Sequence, residues 1–231
     1  MVLHEIEDMT TKNDQLTTIY IVRHGESDYN ALPNKNIYKP GMWGEGGARL
    51  TKRGEIQAKK RAKHLKHIHF DAIFSSAATR AIQTAEIVKL ERKLAIQTTE
   101  VIHERLNYIL PGKTYTQTFE KIKKIVNDLD NEAKLAYKPD NQEAMRDESV
   151  NETATRLLTF LRKIAVSYKN KTVLVVNHGN NMKALLAHLG YAPYDELMHE
   201  GSVENTAYIV LESDGVDFFI KDVQGVQKHT D

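Results

Sequence analysis

The chain has 231 residues and no cysteine. That excludes disulfides, thiolate nucleophiles and cysteine-held metals. It also lacks an excess of charge of either sign. Lys and Arg number 32 against 31 Asp and Glu, so no global field draws the molecule toward nucleic acid or an anionic membrane. No apolar run approaches the roughly 20 residues of a membrane-spanning helix. The first 15 residues, MVLHEIEDMTTKNDQ, are polar and acidic, without the apolar segment of a signal peptide. Aromatic residues make up 7% and show no regular stacking platform. Internal repeats and low-complexity tracts are absent. A soluble, cytoplasmic protein is expected, with neither a membrane nor nucleic acid as partner.

What is present is enough apolar residue, 41%, for one sizeable α/β domain with a small insertion. Residues 1–16 read as a flexible leader, 17–225 as the domain and 226–231 as a tail. TTIYIV, 17–22, is β-branched and strand-like. Residues 30–49 hold most of the local Gly and Pro and the lone tryptophan, Trp43, and read as a long loop. Thr51 caps a helix on which Ile56, Ala62, Leu65 and Ile68 form the apolar stripe. DAIFSS (71–76) is a short buried strand, 79–90 a second helix, and LAIQTTEVI a third strand with its exit. Phe119, Ile122, Val126 and Leu129 place an amphipathic helix over 115–130, followed by a polar stretch from 131 to 147. Together 105–147 read as an insertion over the C-terminal edge of the sheet. Ala154, Leu157, Leu158, Leu161, Ile164 and Ala165 mark a longer helix. KTVLVV (171–176) is the clearest central strand, and a helix with Met182, Leu185, Leu186 and Leu189 inward follows it. TAYIVLES and VDFFIKDV are strands joined by a tight turn at SDG. Strands alternating with helices predict a three-layer α/β/α fold with a mainly parallel sheet.

Open α/β sheets bind ligands at the C-terminal ends of their strands. The first strand ends on Arg23, His24, Gly25 and Glu26. The second leads through Ser75 and Ser76 to Arg80. The late central strand ends on His178 and Gly179. Two arginines offer planar forks for phosphate oxygens. Two histidines offer a nucleophile and a further donor, and Gly25 and Gly179 permit close approach of backbone and ligand. One histidine at a strand end is more often structural than functional. Two His-Gly pairs, each closing a β-branched strand, read jointly as an anion site at the sheet edge.

IVRHGESDYN (21–30), LTKRGEIQA (50–58), SSAATRAIQTAEIV (75–88), HERLNYILPG (103–112), ESVNETATRLLTFL (148–161), VLVVNHGNNMKALL (173–186) and ENTAYIVL (204–211) together resemble the histidine phosphatase superfamily, which contains the cofactor-dependent phosphoglycerate mutases and many phosphatases. The resemblance implies that His24 attacks phosphorus and becomes a phosphohistidine. It implies that Arg23 and Arg80 grip the equatorial oxygens, that His178 and Gly179 complete the pocket, and that Asn30 adds a hydrogen bond. Glu104 falls where the family carries its general acid and base. A carboxyl beside bound phosphate has its pKa pushed up by like charge. Glu26 reads as a brace for an arginine or a backbone amide. Neither metal nor cofactor is implied, and the expected partner is a small phosphorylated metabolite.

Two departures from the family pattern stand out. The segment 31–49 is longer than usual, with two lysines and Tyr38, and Tyr108 replaces a glycine near Glu104. No paired-arginine segment suited to holding a bisphosphate is recognisable, which favours a phosphatase over a phosphoglycerate mutase. A non-catalytic phospho-ligand binder on the same fold is the alternative from another class. The basic run KRGEIQAKKRAKHLKHIHF reads as the solvent face of a helix. His64 and His67 have no third ligand placed beside them, and WGEGGAR lacks the G-K-[ST] of a P-loop.

Overall fold

The computed structural model describes residues 16–32, 47–105, 121–122, 124–125, 128–138, 148–199 and 201–228. Strands β1 (Thr17–Arg23), β2 (Ala72–Ser76), β3 (Ile96–Thr99), β4 (Thr172–Asn177), β5 (Val203–Ser213) and β6 (Phe218–Val226) form one sheet in the order β3-β2-β4-β1-β5-β6. The first four in that order run parallel, and β5 and β6 are added antiparallel. Helices α1 (Lys52–His64), α2 (Thr79–Lys89), α3 (Asn131–Ala136), α4 (Val150–Ser167), α5 (Gly179–His188) and α6 (Tyr194–Leu197) are described, with a 3-10 turn at Glu100–Ile102. The result is a three-layer α/β/α fold on a mixed, mostly parallel sheet.

The strand period of two divides the core. Val173 and Val175 of β4 join Leu157, Leu161 and Leu185 of α4 and α5 on one face. Leu174 and Val176 join Leu65, Ala81, Ala85 and Val88 on the other, behind α1 and α2. Because β4 is buried on both faces it reads as an unbroken apolar run, as an interior parallel strand should. Helix α4 starts on a capping box in which Ser149 and Glu152 satisfy each other's backbone amides. The SDG segment turns with Gly215 at φ 97° and the Asp214 carboxylate accepting from the amides of Val216 and Asp217.

One expectation is corrected, and two short helices were not anticipated. Ile56 is 66% exposed, and the inward stripe of α1 is Gly54, Ala58 and Ala62, continued by Leu65. Steps of four, four and three keep one helical face, whereas the six residues from Ile56 to Ala62 carry the chain well round the cylinder. Within the polar stretch after Asn131, α3 forms on a cap, the Asp130 carboxylate accepting from the Ala133 amide, and has no buried residue. Four-residue α6 carries too little periodicity to be seen. Much of the proposed 115–130 helix and of 139–147 lies outside the described residues. Ile122 of the former is described and packs, with Leu135 and Tyr137 of 131–138, against Val150, Ala154 and Ala184.

Candidate active site

Parallel pairing of β1 with β4 sets Arg23 opposite Asn177. The next residues, His24 and His178, therefore leave the sheet side by side, and their ring centroids are 5.2 Å apart. The His24 amide donates to the Asn177 carbonyl at 3.0 Å. Strand β2, on the other side of β4, delivers α2, whose first turn carries Arg80 between the rings. Its Nε donates to His24 Nε2 at 3.1 Å, and Nη2 lies 3.1 Å from His178 Nδ1. His24, Arg80 and His178 are each no more than 2% exposed.

The tautomer of His24 follows from its surroundings. Nδ1 lies 2.7 Å from the Gly25 carbonyl, which can only accept, so Nδ1 carries the proton. Nε2 is then a lone pair, and Arg80 Nε donates to it. Burial, then the charges of Arg80 and Arg23, hold the His24 pKa well below the usual histidine range, against a smaller opposing effect from Gly25. Burial and Arg80 do the same to His178. His178 Nε2 lies 2.8 Å from the Ser76 hydroxyl. Both imidazoles are neutral, and Arg80 supplies the cation between them.

Glu104 enters from the 3-10 turn after β3. It is 8% exposed, its Oε1 accepts from the Arg105 amide at 3.1 Å, and Oε2 is 3.8 Å from His178 Nδ1. Burial raises its pKa, while Arg80 and Arg23 oppose that shift. Arg23 donates to the Val203 carbonyl, and a Cβ on Gly179 would lie 3.0 Å from Arg23 Nε. The glycine is thus what lets Arg23 lie flat against α5. Gly25 has a similar reason, since a Cβ there would come within 2.6 Å of the Gly54 carbonyl oxygen.

Asn30 folds back on its own turn, where its Oδ1 accepts from the amide and hydroxyl of Ser27 at 3.1 and 3.0 Å. That geometry leaves its Nδ2 as the group available to a ligand. Glu26 turns away from the rings toward α1. One oxygen accepts from Thr51 Oγ1 at 2.8 Å, and the other lies 3.4 Å from Arg53.

Several supporting residues escape a reading of motifs. Thr84 Oγ1 accepts from the Gly25 amide and donates to the Arg80 carbonyl, tying the two loops together. Asn181, fully buried, donates to the carbonyls of Ile102 and His103 and to Asn177 Oδ1, and accepts from the Arg105 amide. It clamps the segment bearing Glu104 to the strand bearing His178. Glu148 takes Arg156 through two bonds of 2.7 and 2.6 Å, and Arg156 in turn binds the carbonyls of Val101 and His103. The available signal was a polar residue on an otherwise buried stripe, as with Thr84 beside Ala81, Ala85 and Val88.

His24, Glu104 and His178 bring ligand-type atoms within 4.8 Å of one another, the spacing of a metal cage. The Arg80 guanidinium, 3.1 Å from each ring, opposes a cation there and favours an anion. Two neutral histidines, a buried arginine and a buried acid form a cluster suited to phosphohistidine-mediated phosphomonoester chemistry of the phosphatase type. A family model described as "Histidine phosphatase superfamily (branch 1)" matches residues 19–224. The chain belongs to the histidine phosphatase superfamily. Among members of this superfamily, it is 30% identical over 174 residues to the uncharacterized phosphatase PhoE of Bacillus subtilis, covering 75% of this chain and 78% of that one. It is 29% identical over 186 residues to a 2,3-bisphosphoglycerate-dependent phosphoglycerate mutase of Cytophaga hutchinsonii, covering 78% and 81%. The solved structure of Bacillus stearothermophilus YhfR superposes with a TM-score of 0.68 at 28% identity, covering 91% of this chain and 97% of that one. Among the described residues no helix is long and apolar enough to cross a membrane.

Proposed function

We propose that this histidine phosphatase superfamily member is a hydrolase of small phosphomonoesters, with 17–225 as the catalytic domain. The observation that carries the reading is the state of His24. Its Nδ1 is bound to Gly25, and its lone pair at Nε2 is held on the donor of a buried arginine.

A phosphoryl group docks against Arg23 and Arg80, with Asn30 Nδ2 and the α5 N-terminus at Gly179 as further donors. Arg80 turns its fork from the histidines to the equatorial oxygens. His24 Nε2 attacks phosphorus in line, the bond to the leaving oxygen breaks, and Glu104 gives that oxygen its proton. Glu104, now a carboxylate, takes a proton from water. The resulting hydroxide attacks phosphorus, the N–P bond breaks, and inorganic phosphate leaves. His178 and the two arginines stabilise the negative charge of the trigonal-bipyramidal transition state, the role that Mg²⁺ fills in other phosphoryl-transfer enzymes. Activity should therefore survive exhaustive chelation. Glu26 acts at a distance, pinning the His24 loop to the start of α1.

Rapid quenching with labelled phosphomonoester should trap an acid-labile, base-stable phosphoenzyme that is absent from His24→Ala. Label and turnover that persist in the variant would overturn the mechanism. A second reading, a bisphosphate-primed phosphoglycerate mutase, draws support from the similarity to the Cytophaga hutchinsonii enzyme. Isomerisation of phosphoglycerate with a bisphosphate primer, faster than phosphate release, would favour it. A non-catalytic binder would show no repeated release of phosphate.

A further inference from the structure

The basic run on α1 takes no part in the chemistry above. Six of the thirteen residues of α1 are Lys or Arg and one is acidic, while the whole chain nets only +1. The rest of the molecule is therefore net acidic, and positive charge is concentrated on this helix. That charge is not spread over a convex face. Arg53, Lys60, Arg61 and Lys63 line a groove of about 950 Å³ between α1 and the strands β5 and β6, and Arg23 lines it where it adjoins the catalytic site. Among the described residues Glu204 is the only acid in its lining, and its Oε1 accepts from Gln227 at 2.8 Å. A concavity of one sign with a low-dielectric wall focuses potential more than a flat patch does.

The cations in the groove have different duties. Arg53 is paired with Glu26. Arg61 is fixed, stacked 4.4 Å over the Tyr208 ring with its Nε donating to the Thr206 carbonyl at 2.8 Å. Lys60 and Lys63 are exposed and have no hydrogen-bond or ion-pair partner among the described residues. Two unspent ammonium groups beside a rigid guanidinium suit a compact ligand with several anionic oxygens. Volumes of this order hold small molecules. Among the described residues no Phe, Tyr or Trp lines the groove, and His64 is its one ring, so the row of aromatic side chains on which single-stranded nucleic acid stacks is missing there.

We propose that this groove is a second anion site, adjoining the catalytic pocket at Arg23 and built on Lys60, Arg61 and Lys63, that takes a compact oligophosphate. The floor of the groove touches the nucleophile's backbone. Thr206, at φ 61°, donates its amide to the His24 carbonyl at 3.3 Å, and Asn205 Nδ2 donates to the same oxygen at 3.3 Å. An occupant of the groove rests on the residues that hold His24 in place. The proposal does not depend on the hydrolase reading, because binding is measurable in a protein that turns nothing over.

Inorganic tripolyphosphate is titrated calorimetrically into full-length Arg80→Ala protein, whose catalytic site has lost its central cation, with His24→Ala as a second background. Binding should persist in both and weaken as salt is raised. Adding Lys60→Glu and Lys63→Glu should weaken it by at least about tenfold, since two attractions become repulsions. In the wild-type background the same two reversals should leave turnover of p-nitrophenyl phosphate unchanged. Adenosine triphosphate in a parallel arm tells a nucleoside polyphosphate from a bare oligophosphate, and binding of either supports the site. No binding in either background, or binding indifferent to the lysine reversals, overturns it. So does tight binding of a single-stranded RNA oligonucleotide with none of the oligophosphates.

Discussion

Replacing Glu104 with glutamine tests the assignment of the acid with little disturbance of shape. The residue is 8% exposed, and glutamine keeps an oxygen for the Arg105 amide, now 3.1 Å from Oε1. An NH2 group replaces the carboxyl OH, so the acidic proton is lost. Burial already disfavours the charged carboxylate, so removing its charge should not unfold the protein. General acid catalysis is worth about 10²–10⁴-fold, or about 2.7–5.4 kcal/mol of barrier. Single-turnover formation of the phosphoenzyme from an alkyl phosphate should slow by that factor. With p-nitrophenyl phosphate, whose leaving group needs little protonation, the loss should fall to within about tenfold. The wild-type rate with alkyl phosphates should decline as pH rises through the raised pKa of Glu104, and that limb should vanish in the variant. Single-turnover conditions are essential, because slow hydrolysis of phosphohistidine would mask the first step. Equal losses for alkyl and nitrophenyl esters would refute the reasoning and move the acid elsewhere.

His24 and His178 are both held well below the usual histidine range, so the folded protein keeps them neutral while an unfolded chain protonates them near 6.5. Their contribution to stability is complete above that value and is lost as pH falls from it toward the folded pKa. Each contributes a slope of about 1.4 kcal/mol per pH unit; Glu104, with a raised pKa, opposes this by favouring the fold at low pH and losing that contribution as pH rises through its folded value. Urea unfolding of wild type and His24→Asn between about pH 5 and 7 should show a shallower slope in the variant, and equal slopes would contradict it. Asn181→Ala removes three donations and one acceptance in a buried place, and should cost about 1–3 kcal/mol in denaturant unfolding. It should also slow alkyl phosphates more than nitrophenyl phosphate with little change in KM, because the loosened segment carries Glu104. Uniform loss across leaving groups would make Asn181 structural only. Glu26→Gln keeps an oxygen for Thr51 and loses the pairing with Arg53, so turnover should drop by less than about tenfold, equally for both ester types. A marked leaving-group dependence would instead bring Glu26 into the proton transfer.

The sequence was most informative where local rules and burial agree. The β4 strand was legible because an interior parallel strand is apolar on both faces. The α4 and α5 helices were legible because Leu157, Leu161, Met182, Leu185 and Leu186 repeat at helical spacing. Helix α3 was not, since its cap sits in polar surroundings without a buried stripe, and Ile56 misled because one apolar residue does not make a face. Arg23, His24, Arg80, Glu104 and His178 were all nameable from motifs, and they converge on one pocket. Asn181, Thr84 and Arg156 were not nameable, because their long-range partners are 59 to 79 residues away for the first two and 53 to 55 for the third.

The chain order thus determined which residue types close each strand, and with them the chemistry on offer: two imidazoles, two guanidinium groups and a carboxyl. Tertiary structure decided their states. Register between β1 and β4 set the two rings side by side. Burial made both imidazoles neutral and raised the Glu104 pKa, and Arg80 became the cation between them only because α2 packs beside β4. Spacing along the chain cannot express these outcomes, because ionisation depends on solvent exclusion and on charges a few ångströms away in space. The same holds for α1, whose basic residues look like an ordinary solvated face until β5 and β6 fold against them and make that face a groove.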